Sequence, residues 1–151
     1  MNLFLVGREP DRRSVIESTF ADEYPDVRLW HFRCIVDAGG ALLRCRPSAI
    51  PDAVVFTDPV DGWQRTRLWE CVTARRELMA VPVFTCGACE DDERCSNLRT
   101  MSVVSWRACP DMVGHQGAID YARNIMDTLG SELSELVRKY DCRHLKFEKR
   151  A

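Results

Sequence analysis

Apolar residues along the chain fall into two rhythms: short continuous runs, and stretches where they return every three or four positions. The first rhythm predicts buried strands and the second amphipathic helices. Residues 2–6 are an apolar run stopped by Gly7 and Arg8, too brief for a helix. Pro10 suits the first turn of a helix whose inner face carries Val15, Ile16 and Phe20. Residues 27–32, with bulky Trp30 and Phe32, predict a second strand. A helix over 35–46 runs through Ala38, Leu42 and Cys45, loosened by Gly39 and Gly40 at a cost of about 1 kcal/mol each relative to alanine. Residues 53–56 are continuously apolar and valine-rich, as a central parallel strand covered on both faces should be. Asp61-Gly62 punctuates the chain before a helix over 62–78 with Leu68, Trp69 and Val72 turned inward. A strand over 81–85 with Pro82 near its start, a charged helix over 90–98 and a strand over 101–106 complete the series. Strand and helix thus alternate five times. This implies right-handed crossovers and an α/β domain of three α/β/α layers around a five-stranded parallel sheet.

The last segment breaks the pattern. Ile119, Ala122, Met126, Leu129, Leu133, Leu136 and Tyr140 follow one another at spacings of three and four, a coiled-coil seam. A helix closing the domain needs only the first half of that seam, which gives a domain over 1–129 and a helical extension or tail over 130–151. Gly130-Ser131 either ends one helix and caps a second, or lies within a single long one. In both cases Leu133, Leu136 and Val137 present apolar surface that must be buried, and a homodimer through this helix is the expectation.

Composition narrows the function classes. A chain of 151 residues suits one compact domain, and 21 basic against 23 acidic residues give a net charge of -2, with no field favouring nucleic acid or a membrane surface. The paired Arg12-Arg13 and Arg75-Arg76 read as solvated helix faces, because no aromatic stripe interleaves with them. The run MNLFLV is too short for an export signal or a span, so a cytoplasmic protein is expected, with no membrane partner. The eight cysteines then read as reduced thiols, with Cys34, Cys45, Cys71 and Cys142 packing as small hydrophobes. His31, His115 and His144 lack metal-ligand spacing, and no glycine-rich phosphate loop or nucleophile–base pair points to an enzyme.

The segments LFLVGREPDRRSVIESTF at 3–20, PDAVVFTDPVDGW at 51–63 and VPVFT at 81–85 resemble the receiver domains of bacterial two-component response regulators, over residues 2 to 129. The resemblance implies a flavodoxin-like (CheY-like) doubly wound sheet and a role in signal transduction. It also implies a protein partner, a histidine kinase or a regulator. Receivers hold Mg²⁺ with an acidic pair after the first strand and an acceptor aspartate after the third, so that the metal screens the incoming phosphoryl charge. Here Gly7 and Arg8 stand where the pair is expected, with Glu9 one step further. Glycine cannot ligate and arginine repels a metal. Thr57 falls in the acceptor position and Asp58 one residue late, while Thr85 matches the switch hydroxyl early. The family's lysine is matched by uncharged Cys109, two residues after Arg107. The chain therefore reads as an atypical receiver, a pseudo-receiver that needs no cofactor. The alternative is a phosphorylatable receiver whose distorted site binds Mg²⁺ through Asp58 and Glu9. In the atypical reading, a cation from Arg8 beside Asp58 replaces the metal.

Two further features sit outside that resemblance. Cys86 and Cys89 form a CxxC at a strand-to-helix junction, and Cys95 and Cys109 would complete four thiols for zinc or redox chemistry. The acidic run at 90–93 would raise rather than lower thiol pKa values beside it. Trp106 either docks a partner from an exposed position on the last strand or fills the sheet edge.

Overall fold

The computed structural model describes residues 1–86, 104–109 and 113–148, with the backbone alone for 108 and 140–148. Strands β1 (Asn2–Val6), β2 (Arg28–Phe32), β3 (Ala53–Phe56), β4 (Pro82–Cys86) and β5 (Ser105–Cys109) form one parallel sheet in the order β2-β1-β3-β4-β5. Four α-helices accompany it among the described residues: α1 (Pro10–Glu23), α2 (Ile35–Arg44), α3 (Gly62–Ala74) and α4 (Gly114–Glu148). The expected flavodoxin-like sheet of three layers is the observed one. The helix expected over 90–98 lies outside the described residues.

The pleat of each strand sorts its side chains between two cores. Leu3, Leu5, Ala53, Val55 and Phe84 face α1 and α4, meeting Ile16, Phe20, Tyr121 and Ile125. Their neighbours Phe4, Val6, Val54, Phe56 and Val83 face α2 and α3, meeting Ile35, Leu42, Leu68 and Val72. Each fully buried side chain of this kind contributes about 1.5–3 kcal/mol relative to exposure. The central strands β1 and β3 are buried on both faces, which explains why their sequences read as unbroken apolar runs.

Several element ends differ from the sequence reading. The helix expected over 62–78 stops at Ala74, where Arg75 turns extended, and a 3₁₀ turn at Arg76–Ala80 follows. Arg75 is no solvated helix residue: its Nη1 donates to the carbonyls of Leu42 at 2.8 Å and Cys45 at 2.6 Å, capping the carboxyl end of α2. Gly39 does more than loosen α2, since a Cβ there would stand 2.8 Å from Cys71 Sγ where α2 meets α3. The fifth strand begins at Ser105, because full pairing with β4 sets Pro82 against Ser105 and Cys86 against Cys109. Helix α4 continues through Gly130 without a break for 35 residues, roughly 50 Å of helix. No helix among the described residues is long and apolar enough to cross a membrane.

Candidate functional site

The strand order reverses between β1 and β3, and in open α/β sheets the crevice beyond the carboxyl ends at such a switch point is where ligands bind. Three residues meet there. Thr57, fully buried just past β3, donates its backbone N–H to the Val6 carbonyl at 2.9 Å and its hydroxyl to the same oxygen at 3.4 Å. Gly7 accommodates it: a Cβ at Gly7 would collide with Thr57 Oγ1 and stand 3.0 Å from Asp58 Oδ2. Gly7 and Thr57 are therefore one packing unit, in which the threonine side chain fills the room the glycine leaves.

Asp58 turns back over the end of β1. Its Oδ2 accepts from the backbone N–H of Arg8 at 2.6 Å and of Glu9 at 3.2 Å, while Oδ1 is buried with no hydrogen-bond partner. Glu9 cannot join it as a metal ligand without giving up another role. Its carboxylate caps α1, accepting from Asp11 N at 3.3 Å and Arg12 N at 2.9 Å. Arg8 is exposed and makes no ion pair with Asp58. The expected guanidinium beside the carboxylate is thus corrected to backbone amides, which the start of α1 supplies by its geometry.

The remaining predicted site residues are not gathered around Asp58. Thr85 is buried within β4 and makes no hydrogen bond to Asp58. Cys109 is buried beside its register partner Cys86, and burial, with Cys86 adding to it, pushes its thiol up from the ordinary value. Arg107 turns away to pair with Glu132 of α4 at 2.6 Å. Of the proposed zinc set, Cys86 and Cys109 are adjacent, Cys89 and Cys95 lie outside the described residues, and no cluster of three metal-ligating groups occurs among those described. Trp106 is half-buried against the α2/α3 core, with the Arg65 guanidinium 4.8 Å from its ring centroid. Leu133 and Leu136 are exposed, as the seam pattern predicted.

Two residues near the site escaped sequence reading. Tyr121, fully buried on α4, donates its hydroxyl to the Phe56 carbonyl at 2.9 Å, and burial followed by the neighbouring Cys86 and Cys109 pushes its pKa well above the ordinary value. Arg12, read as solvated, instead lies half-buried with its guanidinium 5.8 Å from the Tyr121 ring centroid. Tyr121 is in helical step with Ala118, Ala122 and Ile125, so its burial was open to inference; the carbonyl it reaches was not. A cavity of about 470 Å³ opens beside Asp58, between the first turns of α1 and α4.

No protein-family model matches the chain, and no curated protein matches it. Among solved structures, a de novo designed protein of the Rossmann 2x3 fold, determined in solution by NMR, is similar to it with a TM-score of 0.54 and 11% identity. The match covers 84% of this chain and 90% of the designed one. That likeness shows the fold alone.

Proposed function

We propose that the chain is an atypical receiver-like module that signals by protein–protein contact, without aspartate phosphorylation or Mg²⁺ binding. One observation carries this reading: Asp58 Oδ2 is already held by the Arg8 and Glu9 amides. A phosphoacceptor needs a divalent ion bound by several hard oxygens beside it. Here Gly7 offers none, Thr57 fills the space next to it, and Glu9 is engaged as a helix cap. The uncharged Cys109 would leave phosphoryl oxygens without a cation. A carboxylate with one oxygen already held by fixed amides supports one standing conformation, and no phosphate is needed to select it.

The contact surface we assign is the exposed stripe Leu133, Leu136 and Val137 on α4, and its occupant is a second copy of the chain. A histidine kinase or a regulator is the partner class that the receiver resemblance supports beyond the dimer. The thiol alternative has less support, since a buried thiol with a raised pKa is a poor nucleophile.

A titration with beryllofluoride and Mg²⁺, followed by NMR, tests the phosphate-independent reading. No saturable change is expected. Saturable shifts that disappear in Asp58→Asn would overturn it in favour of a phosphorylatable receiver. Sedimentation velocity tests the contact surface, with Leu136→Glu expected to shift a dimer to monomer.

A further inference from the structure

Strand β2 ends the sheet on its side, and among the described residues no strand pairs beyond it. Two bonds to β1 set its backbone directions: Arg28 donates its N–H to the Met1 carbonyl at 2.9 Å, and the Phe32 carbonyl accepts from the Gly7 N–H at 3.0 Å. Trp30, in step with both, also turns its backbone groups to β1. Leu29 and His31 therefore point their N–H and C=O groups off the edge of the sheet. Proteins blunt such edges with lysine, proline, a bulge or a covering element. The segment Leu29-Trp30-His31 has no lysine or proline, and its register with β1 runs without a bulge. Trp30 adds a large side chain, 54% exposed, on the face of the sheet it shares with Phe4 and Phe32.

We propose that β2 pairs antiparallel with β2 of a second copy of the chain, across a twofold axis that passes between the two Trp30 residues. The backbone directions select this register. Only with Trp30 opposite the partner's Trp30 do Leu29 and His31 both exchange paired hydrogen bonds within the strand, Leu29 with the partner's His31 and His31 with the partner's Leu29. Trp30 then falls in a non-hydrogen-bonded pair, whose Cα atoms approach to about 4.5 Å, and the two indoles bury each other. On the same face Arg28 stands opposite the partner's Phe32, a cation against an aromatic ring. The edge is its own complement in hydrogen bonds and in side chains, which favours a second copy over an unrelated strand. An edge of five residues is a small contact, so association is weak and grows with concentration. This surface is separate from that of α4, and the proposal rests neither on the α4 dimer nor on the receiver reading.

Leu136→Glu, which removes the α4 contact, isolates this one in the full chain. Sedimentation velocity over micromolar to millimolar concentrations should show that variant passing from monomer to dimer. Adding Trp30→Lys should weaken the association by about tenfold or more, with the fold kept because the side chain it replaces is exposed. Amide hydrogen exchange separates the edge from any other contact. The amides of Leu29 and His31 should gain protection as the dimer forms, while that of Trp30, turned to β1, should not change. A Leu136→Glu chain that stays monomeric at millimolar concentration overturns the proposal. So does a dimer that Trp30→Lys leaves intact, or one in which the Leu29 and His31 amides gain no protection. Should Trp30→Lys fail to fold, the exchange pattern of the parent variant still decides.

Discussion

The two halves of α4 carry the same spacing of apolar residues and meet opposite fates. Ala118, Tyr121, Ala122, Ile125 and Leu129 are buried to 7% exposure or less, whereas Leu133, Leu136 and Val137 are 58%, 64% and 52% exposed. The first half lies against α1 and the sheet, and the ion pair of Arg107 with Glu132 ties the helix to β5 where that contact ends. Beyond it no described element covers the seam. A repeat of three and four encodes which face of a helix is apolar, and the partner for that face is encoded elsewhere.

The contrast can be broken at four points. Ile125→Ala should have the largest effect, a loss of about 2–5 kcal/mol in denaturant unfolding, because it opens a cavity in a closed core. A loss below about 1 kcal/mol would mean that the first half is no better packed than the second. Tyr121→Phe should come next, costing about 0.5–1.5 kcal/mol by removing the 2.9 Å hydroxyl bond to the Phe56 carbonyl, which keeps the long 3.9 Å bond from the Cys86 thiol. The same variant should shift the amide resonances of Thr57 and Asp58, which directly follow that carbonyl. Gly130→Ala should stabilise by about 0.5–1 kcal/mol, since Gly130 is inside a continuous helix and a Cβ there meets nothing within 4 Å. Destabilisation would locate a helix break between the halves. Leu136→Glu should be nearly silent in dilute monomer, within about 0.5 kcal/mol. A large stability loss at low protein concentration would show that the second half is already covered within one chain.

The fold was legible because each strand of the centre is a two-face buried run and two of the helices carry a start signal, Pro10 for α1 and Asp61-Gly62 for α3. The ends of elements were less so. Arg75 follows α3 and reaches carbonyls at the end of α2 thirty or more positions earlier, and local propensity cannot report such a bond. At the site, it was readable from residue type that Gly7, Arg8 and Cys109 bring no carboxylate. What holds Asp58 was not. Side-chain charge suggested Arg8 as the counterion, yet the donors are amides presented by the turn into α1, which any residue with an N–H would supply. Trp106 went the same way: its exposure depends on Arg65 arriving from α3.

The cap that Arg75 places on α2 makes one helix hostage to the next. With two glycines in its middle, α2 has little intrinsic persistence, and its last carbonyls are held by a side chain that is in place only once α3 has packed. The two helices should therefore open to solvent exchange as a single cooperative unit, so that protection of the amides in α2 reports the integrity of α3.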